Sequence, residues 1–274
     1  MPAIVGRMDA ATFFRAGWIR FAYDPAIAEW AARARPVADA YRADQALRSR
    51  WLRCGGTWFV GANVFPNDPT GAVPEAGVPP LAGAPIRFIA DALGLPDIKW
   101  DRAQVSVFFP GYPRQSPGES DAAFRFRRDR DAAHVDGVKR TEDRRRRLGD
   151  EAHGFILGVP LSDAPAGAAP FVVWEGSHEI MRRALRERLA GVAPERWLDA
   201  DITEAYTAAR QACFEACRRV VVAARPGEAY LVHRLALHGI APWTAGGEHR
   251  ARTIAYFRPD PFPGAARAWW LERP

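Results

Sequence analysis

The second half of this chain is a succession of short apolar segments, rich in β-branched and aromatic residues and separated by turn residues. These segments lie at 104–109, 124–126, 154–161, 171–174, 220–223, 229–232 and 253–257. Several short strands with turn signals between them are typical of a β-sandwich or a barrel. The pattern therefore predicts a mainly β fold, and it excludes a helical bundle as the core of the molecule.

Helical signals surround this β region. Helices are predicted at 10–16, 25–36, 37–52, 86–93 and 179–219, with an aromatic strand at 18–23. Asp9 is a candidate cap for the first helix and Gly17 its candidate end, and Pro25 stands where the next helix begins. Glycine and proline recur densely through 61–85, which predicts a long surface excursion.

The order of these segments predicts one domain. We find no internal repeat and no stretch with the composition of a linker. We expect a single domain over 1–274, with a helical N-terminal part to about 100 and a β core at about 101–260. The core is interrupted by a helical insert at about 179–219.

The composition excludes several classes of protein. Hydrophobic residues make up 48% of the chain and charged residues 26%, which is typical of a globular protein rather than a disordered or fibrous one. No apolar run approaches the roughly 18–20 residues of a membrane helix, and the start of the chain does not resemble a signal peptide. Three cysteines are too few for a disulfide scaffold, so we expect a cytoplasmic protein without a membrane partner.

Basic residues are concentrated between 125 and 147, a segment that contains ten of them and five acidic residues. The net charge is +6, and only two of the 38 basic residues are lysines, which indicates a composition bias rather than a polyanion-binding protein. A solvated surface is the ordinary explanation of such a run. An anionic substrate or carrier partner, and nucleic acid, are the alternatives that the sequence leaves open, in that order.

Two separated motifs carry the candidate chemistry. His134 and Asp136 are two residues apart, so on an extended segment both side chains point to one face. His238 follows a buried apolar run and a turn at 226–228, which places it at the end of a strand. Two histidines and one carboxylate on one face are the ligand set of non-haem Fe(II) oxygenases, and they leave positions open for a co-substrate and oxygen. Taken alone, the first pair also fits two surface residues in a loop.

An arginine is expected beyond His238, because the distal carboxylate of a 2-oxo acid needs a charged partner. Arg250 and Arg252 lie 12 and 14 residues past His238. Both open the strand at 252–257, and the two share one face by parity.

In their order and spacing these motifs resemble the phytanoyl-CoA dioxygenase-like family of Fe(II)- and 2-oxoglutarate-dependent oxygenases. The resemblance runs over most of the chain, through 12–18, 104–111, 134–136, 167–178, 227–239 and the arginine at 250 or 252. It departs from the family at Trp174-Glu175, where proline is usual. The family implies a double-stranded β-helix (jelly-roll, cupin-like) core with helices packed outside it. It also implies Fe(II) held by His134, Asp136 and His238, with 2-oxoglutarate and O2 as co-substrates.

The resemblance leaves the 2-oxoglutarate anchor between Arg250 and Arg252. The family's spacing to the aromatic residue at the strand end favours Arg250, which lies seven residues before Phe257. The strand that carries Gln104 and Ser106 lines the co-substrate pocket in the family, so one of these two residues is a candidate contact. The alternative for both is a polar residue at a strand edge.

The remaining histidines are expected to have structural roles, since the family's ligand set is complete without them. His178 is predicted to be a hydrogen-bonding residue, and His153 and His233 to be core or supporting residues. His233 is five residues from His238, so on a strand it faces the opposite side. His249 is predicted to lie in an exposed loop.

By this resemblance the chain is expected to hydroxylate a C–H bond of a small molecule and to release succinate and CO2. Lys139 and Arg140 follow the metal motif closely and favour an anionic substrate, although exposed loop positions explain them equally well. The competing hypotheses are a non-catalytic jelly-roll binding protein and an oxygenase acting on nucleic acid. The sequence leaves the prime substrate and the oligomeric state open.

Overall fold

A computed structural model describes residues 10–246, 251–265 and 267–272. The helices are α1 (Ala10–Ala16), α2 (Pro25–Ala43), α3 (Gln45–Trp51), α4 (Ala84–Ala92), α5 (Asp121–Asp129), α6 (Ser177–Leu189) and α7 (Thr203–Ala216). Short 3-10 turns occupy Pro74–Ala76, Pro194–Arg196 and Arg267–Leu271. None of the helices in these ranges is both long enough and apolar enough to cross a membrane.

The strands fall into three antiparallel sheets. They are β1 (Trp18–Phe21), β2 (Leu52–Arg53), β3 (Trp58–Phe59), β4 (Gln104–Phe108), β5 (Val138–Arg140), β6 (Arg146–Leu148), β7 (Phe155–Pro160), β8 (Phe171–Trp174), β9 (Arg219–Val222), β10 (Ala229–His233), β11 (His238–Ile240) and β12 (Arg252–Phe257). The large sheet has the order β1-β10-β7-β12-β4-β3-β2, and the small sheet has the order β11-β8-β9. Strands β5 and β6 form a separate hairpin.

The large and small sheets pack face to face. One buried cluster joins side chains of the large sheet (Ile156, Tyr230, Val232, Ile254, Tyr256) to side chains of the small sheet (Phe171, Val173, Val222). Alternate residues of a strand point to opposite faces. The intervening residues of the large sheet, including Leu157, Leu231 and Phe257, therefore lie on its outer face.

Helices cover that outer face. The buried side of α2, with Ile27, Trp30 and Ala34, shares one core cluster with Leu157, Leu231 and Phe257. A second cluster packs α6 and α7 against the small sheet through residues such as Met181, Tyr206, Val172 and Trp174. The prediction of helices packed around a β core is confirmed, and the predicted insert at 179–219 corresponds to α6, α7 and the turn between them.

Two predicted elements are wrong. Residues 124–126 lie in α5 rather than in a strand, because the Ser120 hydroxyl caps a helix by accepting a hydrogen bond from the Ala123 N–H at 3.3 Å. The predicted break at Pro36 is also wrong, since α2 continues through it to Ala43. Ala34 and Ala38 are buried on either side of this proline, and the packing of the helix outweighs the lost hydrogen bond.

The glycine- and proline-rich segment 61–85 is not a surface excursion. Its backbone is largely irregular, but Val64, Phe65, Val73, Val78 and Leu81 are buried in the same core as α2 and the large sheet. A buried loop must satisfy its backbone polar groups. The Asn67 side chain helps here, since it donates to the Asp101 carbonyl at 2.9 Å and accepts from the Ala103 N–H at 2.9 Å. The composition concealed this burial because glycine and proline mark turns whether or not their neighbours are buried.

Candidate metal centre

The two histidines of the separated motifs are brought together by their own backbones. The His134 N–H donates to the His238 carbonyl at 2.9 Å, and the His238 N–H donates to the His134 carbonyl at 3.0 Å. Residues directly paired in this way project their side chains to the same side of an antiparallel ladder. The imidazole centroids are accordingly 4.6 Å apart.

This backbone pairing depends on Gly239, the residue after His238. A Cβ atom at Gly239 would lie 2.2 Å from the Asp131 carbonyl oxygen and 3.3 Å from the Ala133 Cα. The Ile240 N–H donates to the same Asp131 carbonyl at 2.9 Å. Glycine thus lets the two ligand-bearing segments approach closely enough to pair.

Asp136 completes the group. Its Oδ1 lies 3.1 Å from His134 Nε2 and 3.6 Å from His238 Nε2. One ligand atom from each of the three residues lies within 4.8 Å of the others, a separation that a single metal ion can span. The His134 side chain is 49% exposed, whereas those of Asp136 and His238 are 15% and 4% exposed, so the group is open on the side of His134.

The outer ring nitrogens orient both imidazoles. His134 Nδ1 lies 2.9 Å from the Ala132 carbonyl and His238 Nδ1 lies 2.9 Å from the Ala236 carbonyl. A carbonyl can only accept, so Nδ1 carries a proton in each ring and Nε2 is the nitrogen that faces Asp136. This is the tautomer that a metal ligand requires.

The electrostatics favour an ionised Asp136 carboxylate and act in opposite directions on the two imidazoles. Burial by itself raises the pKa of Asp136, but the positive charge of Arg258 and the two histidines hold that pKa well below its ordinary value. Burial lowers the pKa of His238, and Asp136 offsets only part of this effect. For His134 burial acts in the same direction, but the hydrogen bond to Asp136 outweighs it and the pKa is raised.

Arg258 is a site residue that the sequence analysis missed. Its Nε donates to Asp136 Oδ2 at 2.6 Å, and its Nη1 donates to Gln104 Oε1 at 3.0 Å. It lies just beyond β12, on the face shared by Arg252, Ile254 and Tyr256. Extending the parity of that strand by two residues places Arg258 on the inner face, but the pattern does not identify its partner Asp136.

The three candidate ligands lie in the wall of a cavity of about 480 Å³. Gln104 and Ser106 both line it, as the resemblance implied for their strand. The Ser106 hydroxyl accepts from the Trp58 indole N–H at 2.9 Å. The lining is mixed: it includes five aromatic side chains (Trp58, Phe108, Tyr112, Phe171 and Tyr256) and several charged ones (Asp101, Asp131, Asp150, Glu151, Arg258 and Asp260). Phe171 stacks on the His238 ring at 5.4 Å and limits its rotation.

The structure describes only one of the two candidate anchor arginines. Arg250 and the neighbouring His249 lie outside the described residues. Arg252 is buried between the sheets, where its Nη1 donates to the Ala169 carbonyl at 2.8 Å and its guanidinium lies 5.8 Å from the Phe108 ring. Arg252 thus has the burial that a partner for an enclosed carboxylate needs.

The other described histidines lie apart from the candidate ligand group. His178 Nε2 lies 2.9 Å from the Phe14 carbonyl, which agrees with its predicted hydrogen-bonding role. His233 is buried, and its Nδ1 accepts from the Leu235 N–H at 3.0 Å. His153 is buried in the cavity wall, and within the described part of the chain neither ring nitrogen has a hydrogen-bond partner. Burial lowers the pKa of His153 to about 4.

Several charges of the basic run are paired. Arg145 contacts Asp201, Arg147 contacts Asp143 at 2.8 Å, and Lys139 contacts Asp150 at 3.3 Å. Ion pairs of this exposed kind contribute little to stability, but they reduce the positive potential that a polyanion would meet.

Fold and site together define a protein of two facing antiparallel sheets with a His/Asp/His group that could hold a metal ion. No family model matches the chain, and no curated protein matches it. Solved structures do match over most of its length. The non-heme alpha ketoglutarate dependent carbocyclase SnoK from nogalamycin biosynthesis is 11% identical, with a TM-score of 0.48 over 93% of this chain and 84% of that one.

Two further solved structures are similar to the chain to a comparable degree. AviO1 from Streptomyces viridochromogenes Tue57 is 15% identical, with a TM-score of 0.46 over 93% of this chain and 94% of that one. EctD from S. alaskensis with bound Fe is 16% identical, with a TM-score of 0.42 over 90% and 74%. Because these scores are low, the functional assignment depends on the residues of this chain.

Proposed function

We propose that this protein is an Fe(II)- and 2-oxoglutarate-dependent dioxygenase that hydroxylates a C–H bond of a small molecule and releases succinate and CO2. The observation that carries the proposal is the meeting of His134, Asp136 and His238, whose ligand atoms lie within 4.8 Å at a cavity wall. Two imidazoles and one carboxylate on one face leave positions open for a co-substrate and oxygen.

The chemistry of the donors fits a divalent metal. Metal binding requires neutral imidazoles with a free nitrogen lone pair and an ionised carboxylate. Both Nδ1 atoms are directed to backbone carbonyls, so Nε2 is the nitrogen that would meet a metal in both rings. The low pKa of Asp136 keeps its carboxylate ionised at neutral pH. Binding therefore requires no rotation of the rings. The proton of the hydrogen bond between His134 and Asp136 must leave before His134 Nε2 can bind a metal.

When bound, Fe(II) would supply the activation of dioxygen, with 2-oxoglutarate as the electron-donating co-substrate. The chain's own residues bind and orient. The imidazoles of His134 and His238 are held by backbone carbonyls and by the ring of Phe171. The aromatic wall excludes water from part of the cavity, which strengthens the electrostatic interactions inside it.

The sheet arrangement supports a double-stranded β-helix. From β7 onward the strands pass between the large sheet (β7, β10, β12) and the small sheet (β8, β9, β11). The segment that carries His134 pairs edge to edge with β11 of the small sheet, which carries His238. The shared core of α2 and the large sheet supports the proposal that the chain forms one domain over 1–274.

For the co-substrate we propose Arg250 or Arg252 as the anchor, with Gln104 or Ser106 as a further contact. Arg250 is the residue that the family spacing favours. Arg252 has the observed burial, but it also donates to the Ala169 carbonyl. An enclosed carboxylate needs a charged partner, so we expect one of these two substitutions to act far more strongly on 2-oxoglutarate binding than the other.

The cavity has the size of a small-molecule site, since such pockets usually measure roughly 300–1,000 Å³. Its aromatic lining favours a substrate with an apolar or aromatic part. Lys139 and Arg140, which favoured an anionic substrate in the sequence, are exposed on the β5-β6 hairpin, and Lys139 is paired with Asp150. The described cavity wall offers an anion one guanidinium, that of Arg258, beside several carboxylates, so it does not by itself favour an anionic prime substrate.

Succinate formation tests the proposal. The metal-free protein is incubated with Fe(II), ascorbate, 2-oxoglutarate and O2, with and without a panel of small metabolites, and succinate is measured by NMR. We expect slow uncoupled turnover by the wild-type protein and its loss in Asp136→Ala. Asp163→Ala, which removes an exposed aspartate outside the site, serves as the control and should retain turnover. Absence of succinate from the wild-type protein, despite bound Fe(II), would exclude the proposed activity.

A further inference from the structure

The two carboxylate oxygens of Asp136 have different neighbours. Oδ1 faces the Nε2 atoms of both histidines, at 3.1 Å and 3.6 Å. Oδ2 accepts from Arg258 Nε at 2.6 Å, which is a short charge-assisted hydrogen bond. The oxygen on the histidine side is thus the one placed to meet a metal, whereas the other oxygen is already engaged by the guanidinium.

The guanidinium of Arg258 is itself held in place. Its Nη1 donates to Gln104 Oε1 at 3.0 Å, and its planar group lies 5.3 Å from the Tyr256 ring centroid. The Arg258 backbone N–H donates to Asp101 Oδ1 at 2.7 Å. The donor that meets Asp136 is therefore fixed by contacts from three other residues.

We infer that Arg258 is a positioning residue that confines Asp136 to coordination through Oδ1 alone, and that it favours an anionic co-substrate at the expense of metal affinity. This inference rests on the proposed function. A carboxylate can bind a metal through one oxygen or through both. Binding through Oδ1 alone leaves one more coordination position open, and a chelating co-substrate needs that position.

The charge of Arg258 also favours the co-substrate at the expense of the metal. A guanidinium beside the carboxylate ligand repels a divalent cation and attracts a dianion such as 2-oxoglutarate, because Coulomb interactions are strong where water is partly excluded. Removal of Arg258 should therefore strengthen metal binding and weaken co-substrate binding. A residue with a purely structural role would weaken both when it is removed.

Metal affinity and bound water provide the test, without turnover. Mn(II) binding to the metal-free protein is measured by titration calorimetry, and the number of metal-bound waters from the broadening of the Mn(II) EPR signal in 17O-enriched water. Arg258→Met should bind Mn(II) at least about tenfold more tightly than wild type and should hold one water fewer, because Asp136 is free to use both oxygens. The 2-oxoglutarate affinity of the Mn(II)-loaded variant should fall at least about tenfold.

Two further variants separate the effect of the charge of Arg258 from the effect of its planar hydrogen-bonding group. Arg258→Lys keeps the charge but not the planar donor, so it should lose the bound water while its Mn(II) affinity stays within about threefold of wild type. It also keeps the inference testable if Arg258→Met does not fold. Arg35→Met is the matched control, since Arg35 pairs with Asp39 at 2.6 Å within α2 and neither residue lines the cavity. Both of its readouts should equal those of wild type.

Weaker Mn(II) binding in Arg258→Met, with an unchanged number of bound waters, would overturn the inference and leave Arg258 a structural residue. Failure of the proposed function has a different signature. In that case the wild-type protein binds Mn(II) but not 2-oxoglutarate, and the metal affinities and water counts still decide the role of Arg258.

Discussion

Replacing Gly239 with alanine tests whether the candidate metal centre depends on close approach of the two ligand-bearing segments. The added Cβ would lie 2.2 Å from the Asp131 carbonyl oxygen, which is a backbone atom and cannot rotate away. A comfortable separation is about 3.5 Å. The two segments must therefore separate by about 1.3 Å, the difference between these two distances.

A shift of this size affects both stability and metal binding. Overpacking of a buried site usually costs ~1–3 kcal/mol. The bond from the Ile240 N–H to the Asp131 carbonyl, now 2.9 Å, would also be stretched or lost, at a further cost of ~1 kcal/mol. Metal ligands tolerate displacements of only about 0.2 Å, so we expect the metal affinity of Gly239→Ala to fall at least about 100-fold.

Urea unfolding and Co(II) titration of the metal-free protein measure the two effects separately. Gly246→Ala is a suitable control, because a Cβ atom at Gly246 would meet no described residue within 4 Å. This control should match wild type in both measurements. Wild-type Co(II) affinity in a folded Gly239→Ala protein would refute the reasoning, since the ligands would then not depend on the pairing of their backbones.

Three further predictions concern single residues. His134→Ala should abolish both metal binding and succinate formation, which calorimetry and NMR would show; retained metal binding would remove His134 from the ligand set. Arg250→Ala should raise the apparent 2-oxoglutarate constant far more than Arg252→Ala, as followed by the charge-transfer band of the Fe(II)-loaded protein, and the reverse ranking would assign the anchor to Arg252. The pKa of His153 is lowered to about 4 by burial. Between about pH 6.5 and pH 4 this histidine therefore binds a proton in the unfolded chain but not in the folded protein. As a result, the metal-free protein should lose about 2 kcal/mol of stability when the pH falls from 7 to 5. His153→Leu should lack this loss in urea unfolding at the two pH values, and an equal loss in both proteins would contradict the assignment.

Local sequence features predicted those parts of the fold that depend on neighbouring residues. The apolar runs at 104–109, 154–161, 171–174 and 229–232 correspond to β4, β7, β8 and β10. These strands are buried on both faces or alternate clearly, so their composition reports their environment. Strands β2, β3, β5, β6 and β11 were not predicted. They have two or three residues each, which is too short for any periodicity to appear.

The candidate ligands were recognisable for a similar reason. His134 and Asp136 were paired because they are two residues apart. His238 was predicted at the end of the apolar strand before it, but that strand, β10, ends at His233, and His238 begins β11 in the small sheet. Arg258 was missed because its partner Asp136 lies 122 residues away, and local patterns carry no information on such contacts.

The sequence by itself determined most of the longer strands and helices, and it determined the kinds of side chain available to a metal. Only the tertiary structure decided which of these side chains meet. The pairing of His134 with His238 requires two segments about a hundred residues apart to approach across a glycine, and the burial of 61–85 requires α2 to lie over that segment. Both outcomes depend on the packing of distant surfaces, because the free energy of burial depends on what covers a residue and not on the residue alone.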